Sequence, residues 1–190
     1  MVTLMEINLG NLKIQLVAAQ KGFRDEELFV PEDIFSDAGA FVLTASGTKD
    51  TIYGMLDGST QPDILIKDID VKTLDALVIA GGTGSREYLW NDEALLRKVR
   101  EANDKGKVIG AICLSGAIPA RAGIMRGRRG TVYSDPEALE ELKKNGEIYV
   151  DEGVVVDKNV VTAQGPKNAK EFSETILALL QARLTVASAK

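Results

Sequence analysis

The sequence predicts an α/β fold in which a mostly parallel sheet carries helices on both faces. Short apolar runs bounded by glycine or charge recur along the chain, and segments with helical spacing lie between them. Such runs are typical of strands that are buried on both faces of a parallel sheet. Because the two patterns alternate without a repeat or a linker, we expect a single domain over residues 1–190.

Four apolar runs are the predicted strands of this sheet. They are residues 12–19, 41–46, 76–82 and 107–113. Two further segments break the alternation, since residues 53–66 predict a hairpin and residues 147–164 predict short strands joined by turns. The turns of these segments are expected at Asp57-Gly58, near Glu152-Gly153 and near Lys158-Asn159.

Three segments combine helical apolar spacing with start and stop signals. They are residues 91–106, 134–146 and about 167–185. Asn91 or Asp92 is expected to cap the first of them, and Ser134 to cap the second in a capping box with Glu137. The lone Trp90, just before the first helix, is interpreted as a packing residue.

Composition excludes several classes of function. The net charge of −5 argues against a nucleic-acid partner, because such proteins carry a basic face. A chain without histidine has no Ser-His-Asp triad, no Cys-His pair and no His-ligated zinc site. One cysteine is too few for a thiolate cage, so no metal is expected.

The chain is expected to be cytoplasmic and to contact no membrane. Its start lacks a signal-peptide pattern, and no apolar run reaches the roughly 20 residues of a membrane span. A single cysteine cannot form a disulfide within the chain, which fits a reducing compartment.

The only cysteine, Cys113, ends a predicted strand where a helix begins. Its small neighbours, among them Ser115, allow the sharp strand-to-helix turn of a nucleophile elbow. Unpaired N–H groups and the dipole at a helix N-terminus lower the pKa of a thiol, so Cys113 can be a nucleophile without an imidazole. The alternative is a buried, inert cysteine.

Two glycines end the neighbouring apolar run. Gly81 and Gly82 let the backbone approach a ligand closely, and the N–H groups of Gly82 and Leu114 could form an oxyanion hole. The alternative is a plain tight turn. Since the stretch matches neither G-x-G-x-x-G nor a P-loop, no nucleotide cofactor is inferred.

An acidic segment follows the first predicted strand. Pro31 has no N–H for the carbonyl of Glu27, so a helix here is expected to kink near Glu27 or to start near Pro31. Glu27 would then lie at a helix irregularity on the same sheet edge as Cys113. The alternative is that Asp25, Glu26 and Glu27 merely complement the helix dipole as first-turn acids.

Four segments together resemble the ThiJ/PfpI superfamily of deglycase-like and peptidase-like proteins. They are EELFVPEDIFSDAG, LDALVIAGGTGS, GKVIGAICLSGAIPARAGIMRGRRGTVY and VVTAQGPKNAKEF, in the family's order, within a resemblance that covers about residues 12–182. The resemblance implies a flavodoxin-like three-layer sandwich of the glutamine amidotransferase type. It also implies a homodimer or a higher homo-oligomer.

The resemblance implies roles for particular residues. Cys113 would be the nucleophile, Glu27 the carboxyl that hydrogen-bonds its sulfur, and the amides of Gly82 and Leu114 the oxyanion donors. The remaining pocket residues would be Gly81, Ser115, Tyr133, Gly165 and Pro166. Because a carboxylate would repel a thiolate, we expect Glu27 to be largely neutral while Cys113 is ionised, in one coupled titration.

Two positions depart from the family's pattern and leave three functions open. Leu114 stands where PfpI peptidases have histidine, and Gln164 where the deglycase branch has arginine. The first hypothesis is an enzyme that acts on small reactive carbonyl compounds, such as a glyoxal, without a cofactor. The second is a redox-sensing or chaperone-like stress protein, and the third is a cysteine peptidase or hydrolase, which the missing histidine disfavours.

Overall fold

The computed structural model describes residues 9–189 and confirms the α/β prediction. The strands are β1 (Lys13–Val17), β2 (Lys21–Phe23), β3 (Phe41–Ser46), β4 (Ile52–Gly54), β5 (Ser59–Thr60), β6 (Ile64–Leu65), β7 (Ala76–Ile79), β8 (Val108–Ile112), β9 (Arg129–Gly130), β10 (Ile148–Tyr149), β11 (Val154–Asp157) and β12 (Val160–Ala163). The α-helices are α1 (Asp25–Asp37), α2 (Glu93–Asp104), α3 (Ala117–Arg121), α4 (Pro136–Lys144) and α5 (Ala169–Ser188).

The central sheet has seven strands in the order β11-β12-β8-β7-β1-β3-β6. Neighbouring strands are parallel except β11 and β12, which form an antiparallel pair at one edge. The four predicted runs are the adjacent strands β8, β7, β1 and β3. Every residue of β7 and β8 is buried, which explains why these two strands are continuous apolar runs in the sequence.

Helices cover both faces of this sheet. On one face α5 packs against β8 and β12 and also contacts α1, while α2, α3 and α4 form the other layer. The α5 layer comes so close to the sheet that a Cβ at Gly110 would lie 2.6 Å from Ile176 and 2.9 Å from Phe172. This architecture is the flavodoxin-like three-layer sandwich that the resemblance implies.

Helix α1 runs through Pro31 and does not start there. It begins at Asp25, so that Glu27 lies in its first turn and is buried. Pro31 removes only one helix hydrogen bond, the one that the carbonyl of Glu27 would accept. The first turn therefore presents Glu27 from a regular helix.

The caps of α2 and α4 confirm one prediction and correct another. Asp92 caps α2 by accepting a hydrogen bond from the N–H of Leu95. The cap of α4 is Asp135, and not Ser134 as predicted. Pro136 occupies the first helical position, where its fixed φ suits the helix, so the residue directly before it becomes the cap.

The predicted hairpin around Asp57-Gly58 is confirmed. Strands β4 and β5 are antiparallel, and Asp57 has a left-handed φ of 66° in the turn. The carboxylate of Asp25 accepts hydrogen bonds from the N–H groups of Leu56 and Gly58, at 2.9 and 2.7 Å. The hairpin turn is thereby fastened to the start of α1.

Residues 147–164 also form short strands, as predicted. Strands β10, β11 and β12 lie in this segment, with Lys158 in a left-handed turn between the last two. Within residues 9–189 no helix is long and apolar enough to cross a membrane. The same residues contain no group of three His, Cys, Asp or Glu side chains placed to hold a metal ion.

A buried carboxyl lies away from the predicted site. Glu147 follows α4 and is 7% exposed, and neither of its carboxyl oxygens has a hydrogen-bond partner among the described residues. Its side chain fills the space that a Cβ at Gly130 would need. Burial raises the pKa of Glu147 to about 8, so the folded protein keeps this carboxyl protonated at neutral pH.

We expect Glu147→Gln to stabilise the protein more at pH 8 than at pH 5. In the unfolded chain this carboxyl ionises near a pKa of about 4.3, so between that value and the raised pKa of the folded state stability falls as pH rises. The amide cannot ionise and so avoids this loss of stability, which amounts to roughly 3–4 kcal/mol between the two pH values. Urea unfolding of both proteins at each pH measures the difference.

The matched control for this experiment is Glu140→Gln. Glu140 lies on α4 and is exposed, so its substitution should have only a small effect on the free energy of unfolding. If Glu147→Gln gave the same change at pH 5 and pH 8, the carboxyl would not be held protonated in the folded state.

Candidate active site

Three neighbouring strands bring the predicted site residues to one edge of the sheet. Strands β8, β7 and β1 are adjacent and parallel, so their carboxyl ends lie side by side. Cys113 follows β8 directly, Gly81 and Gly82 follow β7, and the short β2 leads from β1 into α1. The carboxyl edge of a parallel sheet is where α/β proteins bind their ligands.

Cys113 has the backbone of a nucleophile elbow. Its φ is 60°, and a 3₁₀ turn over Cys113–Gly116 leads from β8 straight into α3. Among the described residues only Asp57 and Lys158 share a positive φ without being glycine, and both lie in hairpin turns. A strained residue between a buried strand and a helix is held there by its surroundings and is typical of a reactive site.

The glycines at the end of β7 provide the space in which sulfur and carboxyl meet. A Cβ at Gly81 would lie 2.5 Å from Oε2 of Glu27 and 2.6 Å from Cβ of Cys113. Gly82 has a φ of 101°, which favours glycine. The sequence predicted a close approach between a ligand and the backbone at Gly81. In the structure, the groups that come close to Gly81 are the side chains of Glu27 and Cys113.

Glu27 faces the cysteine and not the solvent. The side chain is 1% exposed, and its Oε2 accepts a hydrogen bond of 2.9 Å from the N–H of Gly81. The carboxyl also interacts with the thiol of Cys113. The alternative of a simple first-turn acid fits Glu26, whose carboxylate pairs with Arg24 at the surface.

Both predicted oxyanion donors converge on the sulfur. The backbone N–H groups of Gly82 and Leu114 favour the ionised form of Cys113 and act to lower its pKa. One donor follows β7 and the other follows β8, so the pairing of these two strands sets the distance between them.

Burial controls the ionisation of Glu27. It raises the pKa of Glu27 to about 7, although the thiol of Cys113 and the N–H of Gly81 stabilise the carboxylate and act in the opposite direction. The predicted direction is confirmed, because a carboxyl with this pKa keeps its proton in a large fraction of molecules at neutral pH. A group with such a pKa is suited to proton transfer near pH 7.

The prediction of an ionised Cys113 is wrong for the resting site. Burial raises the pKa of the Cys113 thiol to about 12, and the charge of the Glu27 carboxylate contributes to the increase. The amides of Gly82 and Leu114 lower this pKa by less than burial raises it. The dipole that the sequence predicted here is small, since α3 has five residues.

Cys113 and Glu27 line a cavity of about 200 Å³. Its wall also includes four residues of the predicted site: Gly82, Leu114, Tyr133 and Pro166. A neighbouring cavity of about 350 Å³ shares Tyr133 and Pro166 and is lined by Gly165. The two cavities therefore adjoin at Tyr133 and Pro166.

Two predicted pocket residues lie behind the cavity wall. Ser115 is buried, and its hydroxyl donates to the carbonyl of Ala80 at 2.6 Å and lies 2.7 Å from the hydroxyl of Ser85. The N–H of Gly81 is engaged by Glu27. Gly81 and Ser115 do not line either cavity, and their place in the predicted pocket stays a prediction.

Three residues that line the cavity were not predicted from the sequence. They are Arg24, Met55 and Thr83. The N–H of Arg24 donates to the carbonyl of Gly81 at 2.9 Å, so the chain before α1 is bonded to the chain after β7. Met55 comes from the hairpin, and the only signal for it was the predicted turn, because its contact with the site depends on the tertiary fold.

Comparisons with known proteins identify the family of this chain. The model of the DJ-1/PfpI family matches residues 12–179. A deglycase of Pyrococcus horikoshii is 30% identical over 170 residues, which cover 90% of this chain and 100% of that protein. A glutathione-independent glyoxalase of Caenorhabditis elegans is 28% identical over 155 residues, with coverage of 82% and 81%.

A solved structure has the same fold as this chain, and an uncharacterized relative is more similar in sequence than the deglycase and the glyoxalase. The ThiJ/PfpI domain protein from Brachyspira murdochii superposes with a TM-score of 0.84 at 30% identity, over 90% of this chain and 96% of that chain. An uncharacterized protein of Methanocaldococcus jannaschii is 47% identical over 174 residues, which are 92% of this chain and 85% of that protein. The chain belongs to the DJ-1/PfpI family.

Proposed function

We propose that the protein is a cofactor-independent enzyme that uses Cys113 to attack small reactive carbonyl compounds such as methylglyoxal. The observation that carries the proposal is a cavity of about 200 Å³ in which the thiol of Cys113 meets a carboxyl, Glu27, with a pKa of about 7. The names deglycase and glyoxalase of two relatives support the same class of substrate.

The first step joins the sulfur to the aldehyde carbon. The new S–C bond forms as the π bond of the carbonyl breaks, and the thiol proton passes to the carboxylate of Glu27. A base with a pKa of about 7 is effective at neutral pH. Because Glu27 takes the proton as the bond forms, the reaction does not require a thiolate in the resting enzyme.

The developing oxyanion needs donors in the same place. The electrons of the broken π bond move to the carbonyl oxygen, next to the sulfur that the N–H groups of Gly82 and Leu114 already face. Donors that are fixed before the reaction stabilise such a charge without reorganising. Glu27 then returns its proton to the oxygen, and the product of this step is a hemithioacetal.

The remaining steps convert the hemithioacetal into lactate. Glu27 moves a proton from the former aldehyde carbon to the neighbouring carbon through an enediol, which leaves a thioester on Cys113. Water cleaves the thioester and restores the thiol. The sum is methylglyoxal plus water giving lactate, in which one carbon is oxidised and its neighbour reduced, so the reaction needs no external oxidant.

The two alternatives have less support from the site. A redox sensor requires an accessible thiolate at rest, whereas burial raises the pKa of Cys113 to about 12. A cysteine peptidase of the usual kind uses a histidine, and this chain has none. We also propose a cytoplasmic location. As the resemblance implies, we propose that the protein acts as a homodimer or a higher homo-oligomer.

We expect the wild-type protein to convert methylglyoxal into lactate and Cys113→Ala to lose this turnover. The substitution removes the atom that bonds to the substrate, while alanine fits the space of the thiol. Lactate is measured after incubation with methylglyoxal, with Glu140→Gln as a matched surface control. Turnover that persists in Cys113→Ala, or that is absent from the wild type, would refute the proposal.

We expect Glu27→Gln to separate thiol ionisation from turnover. The amide carries no charge, so the pKa of Cys113 should fall and alkylation by iodoacetamide near pH 8 should become faster. The amide cannot accept a proton, so turnover of methylglyoxal should fall by about 10²- to 10⁴-fold. Alkylation rates across a pH series and lactate assays measure the two effects.

The informative control for this experiment is Glu27→Asp, which keeps a carboxyl at the position. In this variant the pKa of the Cys113 thiol should stay high. Activity should fall only because the shorter side chain brings the carboxyl less close to the sulfur. A Glu27→Gln protein that alkylates more slowly than the wild type would show that the carboxyl does not raise the pKa of Cys113.

A further inference from the structure

The only tryptophan of the chain, Trp90, contacts the residue next to Cys113. Trp90 is 3% exposed, and its indole Nε1–H donates to the carbonyl oxygen of Leu114 at 2.9 Å. This buried indole N–H has one specific acceptor, and that acceptor lies in the elbow. The interpretation of Trp90 as a packing residue leaves this bond unexplained.

The backbone of the elbow is held by groups outside it. The carbonyl of Cys113 accepts a hydrogen bond of 3.3 Å from the N–H of Tyr133, and the carbonyl of Leu114 accepts the one from Trp90. The hydroxyl of Ser115 donates a hydrogen bond to the carbonyl of Ala80, which directly follows β7. These bonds hold the carbonyls on either side of the N–H of Leu114, the group that helps to lower the pKa of Cys113.

A π-helical turn, Ser85–Leu89, brings Trp90 to this position. The N–H of Trp90 donates to the carbonyl of Ser85 at 3.0 Å, which closes the wider turn. Ser85 itself contacts the hydroxyl of Ser115 at 2.7 Å. One turn thus supplies two contacts to the elbow, and turns of this type are frequent at functional sites.

Two arginine side chains hold the indole. The guanidinium carbons of Arg86 and Arg121 lie 5.1 and 5.8 Å from the ring centroid. Arg86 pairs with Glu137 at 2.9 Å and Arg121 pairs with Glu141 at 2.7 Å, both on α4. Cation–π contacts from arginines that are themselves tethered restrict the tilt of the ring.

We propose that Trp90 is a positioning residue for the nucleophile. By holding the carbonyl of Leu114, its indole N–H restricts the backbone of Leu114 next to Cys113, and with it the N–H of Leu114 that favours the thiolate as it forms. The inference rests on the proposed function, because it concerns the ionisation of Cys113, which is the nucleophile in that function. Trp90 lies outside the lining of the cavity and acts only through Leu114.

The sharpest test replaces Trp90 by 3-benzothienylalanine, in which sulfur takes the place of the indole N–H. Residue-specific incorporation changes a single position, because the chain has one tryptophan. We expect the half-point of Cys113 alkylation by iodoacetamide to move to higher pH. At a pH below the half-point, the alkylation rate should fall by about three- to tenfold.

A second variant and a stability control complete the test. Trp90→Phe also lacks the donor and should shift the alkylation profile in the same direction. Leu180→Ala removes buried side-chain volume in α5, so it should lower stability and leave the half-point unchanged. This comparison separates an effect on the elbow from a general loss of stability.

Two results would overturn the inference. One is an unchanged half-point in the benzothienylalanine protein, and the other is faster alkylation in that protein. Either would mean that Trp90 only packs against the elbow. Failure of the proposed function is recognised separately, since the wild type would then produce no lactate whatever the alkylation profile of the Trp90 variants.

Discussion

The site depends on one constraint, which is that a thiol and a carboxyl share a space with little water. Cys113 is 6% exposed and Glu27 still less, and burial penalises the charged form of each. If both were ionised, the two charges would also repel each other. At least one proton therefore stays on the pair, and Gly81 allows the contact by leaving out the side chain that would separate the two groups.

Several features of this arrangement could be predicted from the sequence because their signals are local. Strands β7 and β8 are buried along their whole length, so the sequence shows them as apolar runs that end in small residues. The topology of a parallel sheet then places their ends together, which brings Cys113 and Gly82 to one edge. The missing helix hydrogen bond at Pro31 marked Glu27, although the helix proved to be continuous there.

Other features depend on tertiary contacts, and these contacts have no local pattern in the sequence. Strands of two or three residues, such as β6 and β9, are too short to show a period. Met55 reaches the cavity because Asp25 fastens the hairpin turn and because the N–H of Met55 donates to the carbonyl of Phe23. The raised pKa of Cys113 follows from burial by distant segments, which the sequence does not show, whereas it does show the helix that begins after Cys113.

Burial has opposite consequences for the two groups of the pair. It gives Glu27 the pKa of a base that works at neutral pH, but it makes the thiol of Cys113 harder to ionise. The remaining stabilisation of a thiolate comes from two backbone N–H groups, and hydrogen bonds of this kind depend steeply on orientation. Small changes in the backbone would therefore change the ionisation of Cys113. This sensitivity explains why a site with few polar side chains is surrounded by groups that fix its backbone: Tyr133, Trp90, Ser85 and Ser115.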